Sequence, residues 1–295
     1  MFVTPAHAKI NLALEVVGRR GDGWHEIDTI ILPIDWHDLV GMRESDGGVR
    51  LWLTGPQSPG LPGADGAAPA EENLAFRAAN GLLQEVGVSA SHGVDIWIDK
   101  RLPAGAGLGG VSADAAATLR AAQRLLRAHG VRVDDAALDA AALQIGSDVP
   151  AMLRAAPVRA TGRGGEVTPL EAPLLQLVVV WLAPMQTGDV YARLLPDECS
   201  ASGRIDGVAR ALHAAERVDD DLLGSALEPA ALRVSDTLAA AAVRLRAFDS
   251  GVRWHMTGSG GAYFTVSSDA GEAKALAQRL RDDGFTARAC RTHAS

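Results

Sequence analysis

One glycine-rich stretch decides the fold: Pro103-Ala104-Gly105-Ala106-Gly107-Leu108-Gly109-Gly110-Val111-Ser112-Ala113-Asp114. Before it, Val94, Ile96 and Ile98 recur at every second position, which is typical of a strand with one buried face. After it, residues 113–127 are rich in alanine, leucine and arginine, which favours a helix, and Ser112 is a candidate N-cap. Four glycines within six residues let backbone N–H groups converge at the positive end of that helix. The stretch therefore predicts a cradle for phosphate groups.

The same glycines also permit a dinucleotide-binding site, because Gly105, Gly107 and Gly110 satisfy the pattern G-x-G-x-x-G. In that class of site the preceding strand belongs to a parallel sheet and is apolar throughout. Here the strand alternates, and Lys100 and Arg101 separate it from the glycines, which disfavours a Rossmann fold. A Walker A loop is excluded because no Gly-Lys-Ser/Thr follows the glycines. A glycine-rich turn without a ligand is the remaining alternative.

The composition predicts a folded protein that binds neither nucleic acid nor a membrane. The 295 residues are enough for two domains, and 47% of them are hydrophobic. The formal net charge of -8 is spread without long charged blocks, which argues against both kinds of partner. Cys199 and Cys290 lack metal-ligand spacing, and neither a signal-peptide pattern nor a membrane-spanning apolar run is present. We expect a cytoplasmic protein with reduced cysteines.

The N-terminal segment predicts a strand that brings two polar side chains together. Residues 8–16 alternate strictly, so that Ile10 and Leu12 face the core. Lys9 and Asn11 share the opposite face, roughly 6.6 Å apart along the strand, which is close enough to contact one small ligand. A solvent-facing strand surface is the alternative.

A carboxylate at a helix boundary is the second candidate for catalysis. Residues 144–150 (QIGSDVP) interrupt a helical pattern, and Pro150 suits the first turn of the helix that follows. Asp148 either caps that helix or is held at its end as a proton acceptor.

The second half of the chain predicts a small α+β domain with antiparallel strands. Residues 190–247 are mostly helical, and residues 252–290 follow the order strand, glycine turn, strand, helix, strand. We place the domain boundary after residue 160. The second glycine cluster, residues 258–261, is either a plain hairpin turn or a partner of the first glycine loop across a cleft.

Five short motifs carry a family resemblance. They are residues 5–11 (PAHAKIN), 21–25 (GDGWH), 103–117 (PAGAGLGGVSADAAA), 145–150 (IGSDVP) and 257–262 (TGSGGA). In this order they resemble the GHMP small-molecule kinases, and in particular those that phosphorylate a cytidylyl sugar-alcohol of the non-mevalonate (MEP) isoprenoid pathway. The glycine loop alone indicates only the superfamily, whereas the combination is much more specific.

This resemblance implies a fold, a reaction and cofactors. The implied fold is α+β with two domains: an N-terminal ATP domain that is ribosomal protein S5 domain 2-like (residues 1–160) and a ferredoxin-like C-terminal domain (residues 161–295). The implied reaction is ATP-dependent phosphorylation of the 2-hydroxyl of 4-diphosphocytidyl-2-C-methyl-D-erythritol, with Mg²⁺. A monomer or weak homodimer is implied as well.

The resemblance also implies catalytic and nucleotide-binding residues. Asp148 matches the aspartate that activates the substrate hydroxyl, and Lys9 matches the lysine that stabilises the reacting oxygen. Ser112 would lie nearest to Mg²⁺. The implied nucleotide contacts are Asn73, Lys100 and every residue of 103–113.

Recognition of the acceptor is implied for a third group of residues. Asn11 would bind the substrate, and His25 would hydrogen-bond its cytosine. Trp24 and Tyr191 would stack on the two faces of that base. The remaining implied substrate contacts are Thr187, Gly258, Ser259 and Gly260.

Three positions depart from the family pattern. Val111 replaces a third consecutive glycine, Ala113 replaces a serine that supplies a hydroxyl, and Trp24 replaces a tyrosine but keeps the stacking surface. Alternatives are therefore a GHMP kinase acting on homoserine, mevalonate or a sugar, a relative that binds nucleotide without turnover, and the dinucleotide-dependent oxidoreductase. Retention of Lys9 and Asp148 favours an active kinase.

Overall fold

The computed structural model describes residues 1–64, 68–87 and 93–293. The chain forms two compact units, each built from three chain segments. Unit 1 comprises Met1–Ala8, Trp36–Ala104 and Gly109–Arg154, and unit 2 comprises Lys9–Asp35, Gly105–Leu108 and Ala155–Ser295. The division therefore falls inside the strands β1 (Phe2–Arg19) and β2 (His25–Ser45), and twice inside the glycine-rich stretch. The domain limits expected above, 1–160 and 161–295, stay a prediction.

Unit 1 packs helices on one face of a mixed sheet. Its further elements are β3 (Val49–Thr54), α1 (Leu74–Glu85), β4 (Gly93–Asp99), α2 (Gly110–Ala128), α3 (Asp135–Ile145) and α4 (Val149–Arg154). The predicted inward residues of β4, Val94, Ile96 and Ile98, are buried in one core with α1 and α2. β4 pairs antiparallel with β2 and parallel with β3. Because its neighbour β2 is antiparallel, the sheet is not that of a Rossmann fold, and this alternative is wrong.

The outer face of β4 differs from the wet face that its alternation predicts. Asp95 is only 1% exposed and accepts hydrogen bonds from Arg43 (2.9 Å) and Arg50 (2.7 Å). Both arginines lie directly opposite Asp95 on the neighbouring strands. Next along the strand, Trp97 stacks on Trp52 with ring centroids 5.2 Å apart. Cross-strand partners therefore cover polar atoms that the sequence pattern assigns to solvent.

Helix α2 begins earlier than its sequence indicates. Gly109 is the N-cap, with φ 68°, and its carbonyl accepts the Ala113 N–H at 2.8 Å. The candidate N-cap Ser112 is therefore wrong, since it lies in the first helical turn. Glycine adopts the left-handed conformation at low cost, so the chain enters the helix directly from the loop.

Unit 2 is an α+β unit, and its second sheet is antiparallel as predicted. In chain order its elements are β5 (Val158–Gly162), β6 (Glu166–Pro169), β7 (Gln176–Trp181), α5 (Thr187–Ala192), α6 (Arg204–His213), β8 (Gly224–Ser225), α7 (Glu228–Val234), α8 (Asp236–Phe248), β9 (His255–Met256), β10 (Ala262–Ser267), α9 (Ala270–Asp282) and β11 (Thr286–Arg291). The strand order of that sheet is β11-β7-β10-β9, and its pairs are antiparallel. β8 adds a short parallel pair to β1, and β5 pairs antiparallel with β2 and β6. Within the described ranges, none of the helices is both long and apolar enough to cross a membrane.

Candidate active site

Lys9 is buried in unit 2 beside the glycine loop. Its side chain and that of Asn11 are on residues only 4% and 3% exposed. The Lys9 Nζ donates to Asn11 Oδ1 at 2.5 Å and to the Gly107 carbonyl at 2.9 Å, and the Lys9 N–H donates to the Leu108 carbonyl at 2.9 Å. The solvent-facing alternative for this strand surface is therefore wrong. An ammonium held in this way is a fixed positive charge.

Asn11 is held on all sides by hydrogen bonds. Its N–H donates to Thr257 Oγ1 at 2.7 Å, and its Nδ2 donates to Thr29 Oγ1 at 2.8 Å. Thr29 in turn donates to the Ala13 carbonyl at 2.8 Å, which orients the Thr29 hydroxyl. Because Asn11 Nδ2 is the donor on this side, Oδ1 is the atom that faces the Lys9 ammonium. Sequence reasoning missed both threonines; Thr257 begins a matched motif, but no local signal singles out Thr29.

The two glycine clusters meet inside unit 2. Residues 258–261 form the hairpin between β9 and β10, and a Cβ on Gly258 would lie 3.1 Å from Asn11 Oδ1 and 3.2 Å from Lys9 Nζ. The Gly105 carbonyl accepts the Met185 N–H at 2.9 Å. A Cβ on Gly261 would lie 2.6 Å from the same carbonyl. The second cluster is thus both a hairpin turn and a partner of the first loop.

We expect Gly107→Ala to disrupt this contact. Gly107 has φ +72°, and an added Cβ would lie 2.5 Å from the Gly260 carbonyl oxygen and 2.9 Å from that of Thr257. Backbone atoms cannot retreat cheaply, so the free energy of unfolding should fall by about 2 kcal/mol or more and ATP binding should weaken. Urea denaturation and calorimetric ATP titration measure both effects. Gly81→Ala in α1 is the control, because nothing lies within 4 Å of its Cβ position.

The aromatic residues predicted for the cytosine site lie in unit 2. The rings of His25 and Tyr191 have centroids 5.1 Å apart and are tilted by 32°. Trp24 is 54% exposed, and the Arg163 guanidinium lies 3.8 Å from its ring centroid. Burial, together with the charge of Arg19, lowers the pKa of His25 below its ordinary value. His25 is therefore neutral at pH 7 and offers one donor and one acceptor nitrogen.

Other predicted site residues divide between the two units. In unit 2, Thr187 Oγ1 and Ser259 Oγ are hydrogen-bonded at 2.8 Å. In unit 1, Asp148 immediately precedes α4, and its carbonyl accepts the Met152 N–H at 3.0 Å. Asn73 caps α1, because its Oδ1 accepts the Ala75 N–H at 2.9 Å. Unit 2 holds Lys9, Asn11, Trp24, His25, Gly105–Leu108, Thr187, Tyr191 and the second glycine cluster; unit 1 holds Asn73, Lys100, Pro103, Ala104, residues 109–113 and Asp148.

Lys100 lies in a buried cluster of charges in unit 1. Its Nζ donates to an oxygen of Asp38 and, at 2.5 Å, to Asp114 Oδ2. Burial raises the pKa of Asp114, although the Lys100 charge opposes this shift. Burial acts to lower the pKa of Lys100, but the two carboxylates outweigh it and the pKa is raised. Sequence reasoning missed Asp38 and Asp114, because a lone aspartate in a strand or helix carries no local signal of burial.

The residues near the start of α2 fit a lightly ligated magnesium ion. Mg²⁺ prefers oxygen ligands and usually keeps water and substrate phosphates around it. Ser112 is half-buried in the first turn and offers one hydroxyl. Among residues 1–64, 68–87 and 93–293, no three His, Cys, Asp or Glu side chains cluster as a metal site would. The donor set suits an ion held mainly by nucleotide phosphates and water, with Ser112 as its protein ligand.

Sequence comparison places the chain among known kinases. The family model for the GHMP kinases N terminal domain matches residues 73–155. A relative from Anaeromyxobacter dehalogenans, named 4-diphosphocytidyl-2-C-methyl-D-erythritol kinase, is 39% identical over 284 residues, which cover 95% of this chain and 85% of the relative. A relative of the same name from Anaeromyxobacter sp. (strain K) is 45% identical over 208 residues. That match covers 68% of this chain and spans only 61% of the relative's length.

Structural comparison agrees. The chain is similar to a crystal structure of 4-(cytidine 5'-diphospho)-2C-methyl-D-erythritol kinase, with a TM-score of 0.80, 32% identity and 100% coverage of both chains. A homoserine kinase from Cytophaga hutchinsonii, 19% identical with a TM-score of 0.70, shares the fold. The α+β GHMP kinase fold and the family resemblance predicted from the sequence are confirmed. The chain therefore belongs to the 4-diphosphocytidyl-2-C-methyl-D-erythritol kinases, a family of ATP-dependent small-molecule kinases within the GHMP superfamily.

Proposed function

We propose that this chain transfers the γ-phosphate of ATP to the 2-hydroxyl of 4-diphosphocytidyl-2-C-methyl-D-erythritol. The observation that carries the proposal is the buried Lys9 ammonium, held between Asn11 Oδ1 and the Gly107 carbonyl. A buried lysine fixed against a phosphate-binding loop supplies positive charge where phosphoryl transfer needs it. Membership of the family supports the choice of acceptor.

The proposed mechanism uses few protein groups. Asp148 accepts the proton of the 2-hydroxyl, whose oxygen forms a bond to the γ-phosphorus while the bond from that phosphorus to the bridging β,γ oxygen breaks. ADP leaves with the bridging oxygen. Lys9 stabilises the reacting oxygen, and backbone N–H groups of residues 103–113 bind the phosphates. Bound Mg²⁺, with Ser112 as its protein ligand, neutralises phosphate charge.

Acceptor choice is assigned to the polar and aromatic residues of unit 2. Asn11 binds the sugar-alcohol, His25 hydrogen-bonds the cytosine, and Trp24 and Tyr191 stack on the base. Thr187 and residues 258–260 supply further contacts, and Asn73 is proposed as a nucleoside contact in unit 1. Support comes from the adjacent His25 and Tyr191 rings and from the exposed face of Trp24. Homoserine and mevalonate carry no base, so an aromatic sandwich distinguishes this acceptor from theirs.

Coupled ATP-consumption assays test the function directly. The purified protein with Mg²⁺ is offered 4-diphosphocytidyl-2-C-methyl-D-erythritol, homoserine and mevalonate in parallel. Turnover with the cytidylyl acceptor alone is expected. Turnover with another acceptor would refute the cytosine site but keep the kinase, and ATP binding without any turnover would favour the non-catalytic alternative.

A pH dependence of acceptor binding follows from the state of His25. Because its pKa lies below the ordinary 6.5, His25 stays neutral from about pH 7 to 8.5, and the KM for the acceptor should be constant there. Below that lowered pKa both ring nitrogens become donors, the acceptor nitrogen is lost, and KM should rise. KM measured against pH checks this. The His25→Gln variant should have a raised KM without the low-pH rise; an identical profile in the variant would contradict the assignment.

A further inference from the structure

The two ends of the glycine-rich stretch are tied to one buried cluster in unit 1. The cluster consists of Asp38 on β2, Lys100 directly after β4, and Asp114 in α2. These residues are 0%, 3% and 3% exposed. Residues 101–104 follow Lys100 and lead into the stretch, and α2 leaves it at Gly110. The cluster therefore contacts the segments on both sides of the loop.

Asp38 holds the first of these segments through its backbone. Its Oδ1 accepts the N–H of Arg101 at 2.5 Å and the N–H of Leu102 at 2.8 Å. Its other oxygen accepts from Lys100 Nζ. Two backbone donors and one ammonium on a single carboxylate leave little freedom to residues 100–102, since such charge-assisted bonds are short and strong.

Lys100 connects that segment to the helix. Its Nζ reaches Asp114 Oδ2 at 2.5 Å, and a Cβ on Gly110 would lie 3.9 Å from the same Nζ. The Leu102 side chain would lie 3.4 Å from that Cβ, so the segment packs directly against the first turn of α2. Any shift of the helix relative to residues 100–102 would break a buried ion pair, which is costly.

We propose that Asp38 and Asp114 are positioning residues for ATP: through Lys100 they hold residues 101–104 and the first turns of α2 in the arrangement that binds phosphates. This inference rests on the ATP-dependent function proposed above. Lys100 then serves nucleotide binding through the loop, because two carboxylates already engage its ammonium. A direct contact between Lys100 and a phosphate is the competing explanation.

Calorimetric titration with ATP and Mg²⁺ tests the proposal without requiring the acceptor. Asp38→Asn and Asp114→Asn keep the side-chain shape but remove the charge from the cluster. Asp95→Asn is the matched control, because Asp95 is a 1% exposed carboxylate of the same unit whose partners are Arg43 and Arg50 instead of the loop. Each cluster variant should bind ATP about tenfold more weakly. Asp95→Asn should lower the melting temperature comparably and leave ATP affinity unchanged.

Two further measurements separate positioning from general damage and from direct contact. In steady-state assays the KM for ATP should rise in both cluster variants, whereas the KM for the acceptor should stay within about twofold. Lys100→Met should weaken ATP binding about as much as Asp38→Asn, and the double variant should be no weaker than either, because the three residues act as one unit. Additive losses would show that Lys100 contacts ATP independently and would overturn the proposal.

The remaining outcomes are equally decisive. Folded cluster variants that bind ATP like the wild type, or no more weakly than Asp95→Asn, overturn the inference and leave the proposed function standing. If Asp38→Asn does not fold, Asp114→Asn alone decides. A wild-type protein that does not bind ATP would overturn the proposed function itself.

Discussion

Asp148→Asn is expected to lower kcat by about three orders of magnitude while ATP binding is retained. A positioned general base contributes roughly 10²- to 10⁴-fold to a rate, and an amide of the same shape cannot accept the proton. Asp148 stands where α3 has ended and α4 begins, outside the backbone hydrogen-bond pattern of either helix interior. Its replacement should therefore leave both helices in place.

The measurement combines turnover with a binding control. Steady-state assays give kcat, and calorimetry gives the ATP dissociation constant of the same preparation. Asp139→Asn is the matched control, because Asp139 is a carboxylate on α3 that pairs with Arg154 at 2.6 Å near the surface. The control should keep kcat within about twofold, as is usual when a surface ion pair is broken. A kcat of Asp148→Asn close to that of the wild type would remove Asp148 from the mechanism.

Lys9→Met is expected to be the second largest loss, and it should affect stability as well as rate. Methionine preserves the length of the side chain but leaves Asn11 Oδ1 and the Gly107 carbonyl without the ammonium donor. Loss of the positive charge beside the reacting oxygen should lower kcat at least about 10²-fold. The buried acceptors left behind should lower the free energy of unfolding by about 1–3 kcal/mol.

Temperature separates the two effects of this substitution. Single-turnover rates measured well below the melting temperature report the chemical step, and urea denaturation reports stability. Lys274→Met on the exposed surface of α9 is the control for loss of a lysine charge, and it should change neither quantity appreciably. A destabilised Lys9→Met enzyme that retained the wild-type single-turnover rate would make Lys9 a structural residue only.

Patterns that depend on near neighbours in the chain could be predicted from the sequence. The alternation of Val94, Ile96 and Ile98 marked β4, and the glycine stretch followed by an alanine-rich run marked a loop and helix α2. The motif order then identified the family before any coordinates were available. Even so, the helix start was misplaced, because Gly109 in a left-handed conformation caps α2 in place of Ser112.

Side-chain environments were decided by tertiary structure alone. The pattern of β4 assigns Asp95 to solvent, yet two arginines on neighbouring strands bury it. Lys9 and Asn11 likewise share a strand face by local geometry, but their burial depends on Thr257, which is 246 positions away from Asn11. Periodicity reports which residues share a face, and it contains no information about what covers that face.

The sequence by itself thus determined the α+β class, the family and the residue types available for phosphoryl transfer. Only the tertiary structure decided which of them meet: Lys9 with the Gly107 carbonyl, the second glycine cluster with the first loop, and Lys100 with Asp38 and Asp114. Asp38 is 62 positions from Lys100, and neither residue carries a local mark of the other. Chain propensities act over a few residues, whereas the pairing of buried charges is imposed by the packing of distant strands and helices, because an unpaired charge is too costly to bury.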